Sequence, residues 1–147
     1  MSTIKLYHYT TKEGAEGILE SGCLKKSEKA VKDAVLGDGV YFTSIAPRSV
    51  TKQKIAQNNW DVGTSSAMQL VKDGKLDFYI KIKFKKNDPK LEDVSHLSRD
   101  IWLYRDDVVL PKFDYTIEEF NDIDPREFFN TLSEILGSLV NRVITAK

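Results

Sequence analysis

Three short segments place polar side chains where they could act together: His8 in LYHYT, Tyr41 in GDGVYFTSIAP and Asp100 in SRDIWLY. An imidazole offers a hydrogen-bonding handle, and an aromatic ring offers a flat face for stacking. A carboxylate supplies fixed negative charge to a cation that develops as a bond breaks. Gly37 and Gly39 stand directly before the aromatic run, where small residues let backbone come close to a bound molecule. Each group also has an ordinary structural use. A strand histidine is commonly a hydrogen-bonded core residue, Tyr41 could simply fill space, and Gly-Asp-Gly makes a turn. Asp106 and Asp107 in YRDDVVL are rival acids, but both read as turn residues ahead of a strand.

Other chemistries are less well supported. His8, His96 and Cys23 lack the close ligand spacing of metal sites, so no metal is expected. Ser27, Ser49 and Asp100 could suggest a hydrolytic triad, yet no Gly-x-Ser-x-Gly elbow accompanies them. Lys81, Lys83, Lys85 and Lys86 form a basic stripe, which reads as a solvated face protecting a sheet edge or as a guide for nucleic acid.

At 147 residues the chain has the size of one domain able to bury its own core. The 22 basic and 22 acidic residues cancel, so global charge demands neither a nucleic acid nor an anionic membrane as partner. The single cysteine, Cys23, excludes an intrachain disulfide and fits a reducing compartment. No apolar run approaches the roughly 20 residues of a membrane span, and the start MSTIKLYHYT lacks a signal-peptide core. These features make a cytoplasmic protein, without a membrane partner, the expectation.

The elements that must position the polar groups follow from periodicity. IKLYHYT alternates Ile4, Leu6 and His8 with Lys5, Tyr7 and Tyr9, predicting a strand with His8 facing inward near its end. TTKEGAEGILESG predicts a helix, with Thr10 and Glu13 as a capping pair, Ala15, Ile18 and Leu19 on one face, and Gly22 as the stop. SEKAVKDAVLG is ambiguous between helix and loop, and GVYFT is a short strand. RSVTKQKIAQNNW predicts a helix that VGTSS breaks. LDFYIKIKF is the clearest strand, with Leu76, Phe78, Ile80, Ile82 and Phe84 on its buried side. DIWLY, DVVL and FDYTI follow as strands around Pro111, and a helix over about residues 125–145 is capped by Asp124 and Pro125. Its apolar side would hold Phe128, Leu132, Ile135, Leu136, Leu139 and Val143. Strands and helices mix without βα alternation, so the fold class is α+β.

LYHYT, GDGVYFTSIAP and SRDIWLY, in this order, resemble the diphtheria-toxin-like and poly(ADP-ribose)-polymerase-like branch of the ADP-ribosyltransferase superfamily, and most of all its small His-Tyr-Asp toxin-like clade. The resemblance covers residues 5 to 110 and leaves the last helix outside. It implies a split β-sheet core and an enzyme that cleaves the nicotinamide–ribose bond of NAD+ as co-substrate. The ADP-ribose then goes to a macromolecular acceptor, a protein more than a nucleic acid. By this resemblance His8 bonds the adenosine ribose, the backbone of Tyr9 holds the nicotinamide amide, and Thr10 supplies the third motif position. Gly39 and Tyr41 flank the nicotinamide, Ser49 bonds its amide, and Asp100 stabilises the ribosyl cation. Two departures stand out. Lys52 occupies the place of a second stacking tyrosine, so that either Trp60 or another aromatic substitutes or the stack is half open, and an aspartate replaces the glutamate of chain-elongating relatives, which argues for single transfer. Ser98 stands where arginine-modifying relatives carry a second acid. A toxin or effector role would bring a neutralising immunity partner. The competing readings are an NAD+ glycohydrolase, a non-catalytic module binding NAD+, ADP-ribose or a protein, and an RNA 2′-phosphotransferase, whose characteristic arginines are absent near His8.

Overall fold

Alternating apolar residues build the two longest strands, β1 (Thr3–Thr10) and β4 (Phe78–Lys85), which pair antiparallel over their whole length from Thr3↔Lys85 to Thr10↔Phe78. The structure, a computed structural model, describes residues 2–26, 37–96, 98–121 and 135–137. Between these strands come α1 (Lys12–Ser21), β2 (Cys23–Leu24), β3 (Val40–Phe42), α2 (Lys52–Trp60) and α3 (Thr64–Lys72). After β4 come β5 (Leu91–Asp93), β6 (Trp102–Tyr104), β7 (Val108–Val109) and β8 (Asp114–Glu119).

The strands form two three-stranded antiparallel sheets, ordered β1-β4-β8 and β3-β6-β5, and a small β2-β7 ribbon. Among the described residues the larger sheets meet at one bridge, where Tyr7 N–H donates to Thr43 O at 2.8 Å and Thr43 N–H donates to Tyr7 O at 3.0 Å. This is the α+β fold with a split sheet. One apolar cluster lies beneath the join and unites Leu6, Ile80, Ile82 and Phe84 of the first sheet with Val40, Phe42 and Tyr104 of the second. On the opposite face α2 and α3 cover Tyr7, Tyr9 and Tyr79 with Ile55, Ala56 and Ala67, closed off by Phe120. Burying β1 on both faces explains why its tyrosines, read from the alternation as an outer row, are only 6 to 8% exposed.

Several local expectations are corrected. Thr11 rather than Thr10 caps α1, accepting from Gly14 N–H at 3.0 Å, because Thr10 is still paired with Phe78 in the sheet. Gly22 closes α1 as expected, with Gly22 N–H donating to Ile18 O, but Leu19 is 67% exposed because α1 buries only a narrow stripe. The helix after Pro47 starts late, at Lys52, since Thr51 caps it by accepting from Lys54 N–H. VGTSS follows the end of α2 at Trp60 as expected, but its Thr64, Ser65 and Ser66 already open a further helix, α3, which the periodicity did not predict. Leu76 is buried but precedes β4 and packs in the cluster with Tyr79, away from Ile80 and Ile82. β4 is the central strand of its sheet, so its lysines protect no edge. Residues 27–36, and with them Ser27 and most of SEKAVKDAVLG, lie outside the described residues. So does most of the expected last helix, of which residues 135–137 are helical with Ile135 and Leu136 each 53% exposed. Among the described residues no helix is long and apolar enough to cross a membrane.

Candidate active site

In an antiparallel ladder, hydrogen-bonded pairs recur every second residue on each strand. Tyr7 and Thr43 form such a pair, so the next would join Tyr9 N–H to Tyr41 O. That carbonyl is taken instead by the side chain of His8, whose Nδ1 lies 2.9 Å from Tyr41 O. A carbonyl only accepts, so Nδ1 carries the proton and Nε2 is left as an acceptor. The imidazole thus ends the ladder and opens the split. By the two-residue period, the N–H and C=O of Tyr9 project into that split on the same side as those of Tyr7.

His8 packs edge-on against Phe42, with ring centroids 5.8 Å apart. Burial lowers its pKa below the ordinary value, and the bond to Tyr41 O opposes this only in part. A group with a depressed folded pKa that is neutral when deprotonated takes up protons more readily in the unfolded chain. Its stabilising contribution is therefore complete above about pH 6.5, the unfolded value, and is lost as the pH falls from there through the folded value. Urea titrations from neutral to mildly acid pH should show wild-type stability falling more steeply than that of His8→Gln. Parallel curves would contradict this.

Tyr41 lies half-buried on β3, and its hydroxyl donates to Gly37 O at 2.7 Å, tying the loop before the strand to the ring. Gly37 has φ +117°, in the region L side chains avoid. Gly39 is buried, and a Cβ there would collide with the Tyr104 carbonyl and the Leu103 side chain. The two glycines are thus required by the fold around Tyr41.

Asp100 sits two residues before β6, facing the exit of β3. Its Oδ1 accepts from Ser44 N–H at 2.9 Å and from Thr43 Oγ1 at 3.3 Å, and its Oδ2 accepts from Ser44 Oγ. A carboxylate has about four acceptor positions. With these three filled, one on Oδ2 is left for a further donor. The rival acids are engaged elsewhere at the surface: Asp106 with Lys90 at 2.8 Å and Asp107 with Lys26 N–H at 2.8 Å.

β3 is thus the common seat: His8 bonds its carbonyl at Tyr41, and Asp100 is bonded by Thr43 and Ser44 at its exit. Beyond it the chain turns at Arg48, which has φ +66°. Ser49 is exposed there, its Oγ donating to Ala46 O at 2.6 Å. The Tyr9 hydroxyl donates to Ile45 O at 2.7 Å, which holds this segment against β1. Burial pushes the Tyr9 phenol far up, so it stays protonated. Thr10 ends β1 against the first turn of α1, where Gly14 lacks the Cβ that would strike its hydroxyl. Lys52 places its ammonium 4.7 Å from the centre of the Phe120 ring, and Trp60 is partly buried against the Tyr7–Tyr9 cluster.

Sequence reasoning missed Ser44 and Asn58. Ser44 directly follows the quoted strand GVYFT and was open to notice. Asn58 sits in an unremarkable polar helix, and its partner is 42 residues away.

Residues 6–101 match the family model Tox-ART-HYD1, described as HYD1 signature containing ADP-ribosyltransferase. The chain belongs to this family. The match takes in about two thirds of the 147 residues, opening two residues before His8 and closing one after Asp100. It therefore assigns the chain to toxin-type ADP-ribosyltransferases, a family of transferases. No curated protein and no solved structure matches the chain.

Proposed function

We propose that this domain cleaves NAD+ at the nicotinamide–ribose bond and transfers a single ADP-ribose to a macromolecular acceptor, a protein more than a nucleic acid. The observation that carries this reading is the seating of His8, Tyr41 and Asp100 around one short strand at the mouth of a split sheet. His8 Nε2 accepts from an adenosine ribose hydroxyl, and the Tyr9 backbone, directed into the split, holds the nicotinamide amide. Tyr41 stacks on the nicotinamide ring, with Thr10, Gly39 and Ser49 around it. The acceptor position left on Asp100 Oδ2 takes the 2′-hydroxyl of the nicotinamide ribose.

Cleavage of this bond leaves a ribosyl cation and neutral nicotinamide, so the chief demand on the protein is a fixed negative charge and fixed geometry. Asp100 meets it with a carboxylate fixed by Thr43 and Ser44. An aspartate at this position, where chain-elongating relatives carry glutamate, favours one transfer over chain elongation. In this reading the domain acts in the cytoplasm of a target cell, and a neutralising immunity partner protects the cell that makes it.

Incubating the purified protein with NAD+, with and without cell extract, and measuring free nicotinamide separates the alternatives. Release that depends on extract supports transfer, release without it supports hydrolysis, and none under either condition contradicts the proposal. Tyr41→Ala should weaken NAD+ binding by about 1–3 kcal/mol, the range for aromatic stacking on a base, or roughly 5- to 150-fold in Kd. Calorimetric titration of a variant shown to be folded would check this, and unchanged affinity would remove Tyr41 from the site.

A further inference from the structure

Asn58 is a polar side chain only 8% exposed, near the end of α2. A buried carboxamide must find partners for both of its ends. Both ends reach the backbone of one distant residue: Asp100 N–H donates to Asn58 Oδ1 at 2.7 Å, and Asn58 Nδ2 donates to Asp100 O at 2.9 Å, its other proton going to Asn59 Oδ1 at 2.9 Å. The side chain thus acts as a neighbouring strand would, satisfying donor and acceptor of the same residue. Nδ2 also lies 3.3 Å from Thr43 Oγ1, the hydroxyl that donates to Asp100 Oδ1. Arg99 completes a return grip, its Nε and Nη2 donating to Asn58 O at 2.8 Å and Asn59 O at 3.0 Å. These are among the last carbonyls of α2, where a cation is also favoured by the helix dipole.

We infer that Asn58 is a positioning residue for Asp100: it locks the backbone of the acid to α2 while β3 locks the carboxylate. As a statement about turnover this rests on the proposed role of Asp100; as a statement about structure it does not. The effect should appear in kcat more than in KM, because a carboxylate displaced by about 1 Å loses its cation and not the rest of the NAD+ contacts, at a cost of roughly 10²-fold.

Asn58→Ser and Asn58→Asp provide the test, with amide hydrogen exchange at Asp100 and steady-state nicotinamide release as readouts and circular dichroism as the folding check. Asn58→Ser should speed exchange of the Asp100 amide and lower kcat about 10²-fold with KM for NAD+ little changed. Asn58→Asp should be as poor above about pH 8, where the ionised acid cannot donate to Asp100 O. Burial and the Asp100 carboxylate raise the pKa of the introduced acid, opposed in part by the Arg99 guanidinium on the carbonyls of Asn58 and Asn59. Its kcat relative to wild type should therefore recover between about pH 8 and pH 6, as the protonated form restores both bonds. If Asn58→Ser does not fold, Asn58→Asp at the acid end carries the test. An Asp100 amide protected as in wild type, or an Asn58→Asp protein without relative recovery in acid, would overturn the inference. A wild-type protein that releases no nicotinamide would sink the proposed function but leave the exchange result to decide the clasp.

Discussion

Asp100→Asn is expected to slow nicotinamide release by about 10²–10³-fold, the loss typical of one preorganised electrostatic group, while Kd for NAD+ changes little. Asparagine keeps the shape. Its carbonyl oxygen can still accept from Ser44 N–H and Thr43 Oγ1, and the hydroxyl of Ser44 can rotate to accept where it now donates. What disappears is the charge, which matters only when the ribosyl carbon becomes cationic, so the loss falls on kcat and on kcat/KM alike. Asp100→Glu keeps the charge but pushes it one methylene further into the split. Its network of donors is built for the shorter side chain, so activity should be partial. A folded Asp100→Asn protein turning over at the wild-type rate would exclude Asp100 from the mechanism.

The second large effect is on stability. Phe84 is 1% exposed and belongs to β4, yet its ring lies 5.2 Å from that of Phe42 on β3 and 5.5 Å from that of Tyr104 on β6, with Phe113 at 5.2 Å. It is therefore an apolar tie between two sheets whose backbones, among the described residues, meet at Tyr7 and Thr43. Phe84→Ala should cost about 3–5 kcal/mol through lost transfer energy and the cavity left behind. That is a large part of the 5–15 kcal/mol that holds a typical domain together. Urea unfolding should show a lower midpoint. A loss under about 1 kcal/mol would mean that the join does not depend on this ring.

Much of this architecture was legible in the sequence because the residues concerned obey a local rule. Ile80, Ile82 and Phe84 alternate, so β4 and its inner face could be read directly. His8, Tyr41 and Asp100 were legible as a set, because three matching segments in order say more than each alone. Other features depend on contacts no local pattern encodes. The second covered face of β1 was hidden because tyrosines serve equally on a wet or a buried face. α3 was obscured by its Thr64, Ser65 and Ser66 start, which looks like a loop, although Ala67, Leu70 and Val71 follow at helical spacing. Asn58 could not be found, since its importance lies wholly in meeting the backbone of Asp100 across 42 positions.

The central claim is that His8, Tyr41 and Asp100 belong to one NAD+ site. Its most direct test is a titration of NAD+ into isotope-labelled protein, following backbone amides by NMR. The account predicts that the Tyr9, Tyr41, Ser44 and Asp100 amides shift together and saturate with one common Kd. Saturating NAD+ that leaves these four signals unmoved, or moves them with unrelated affinities, would contradict it.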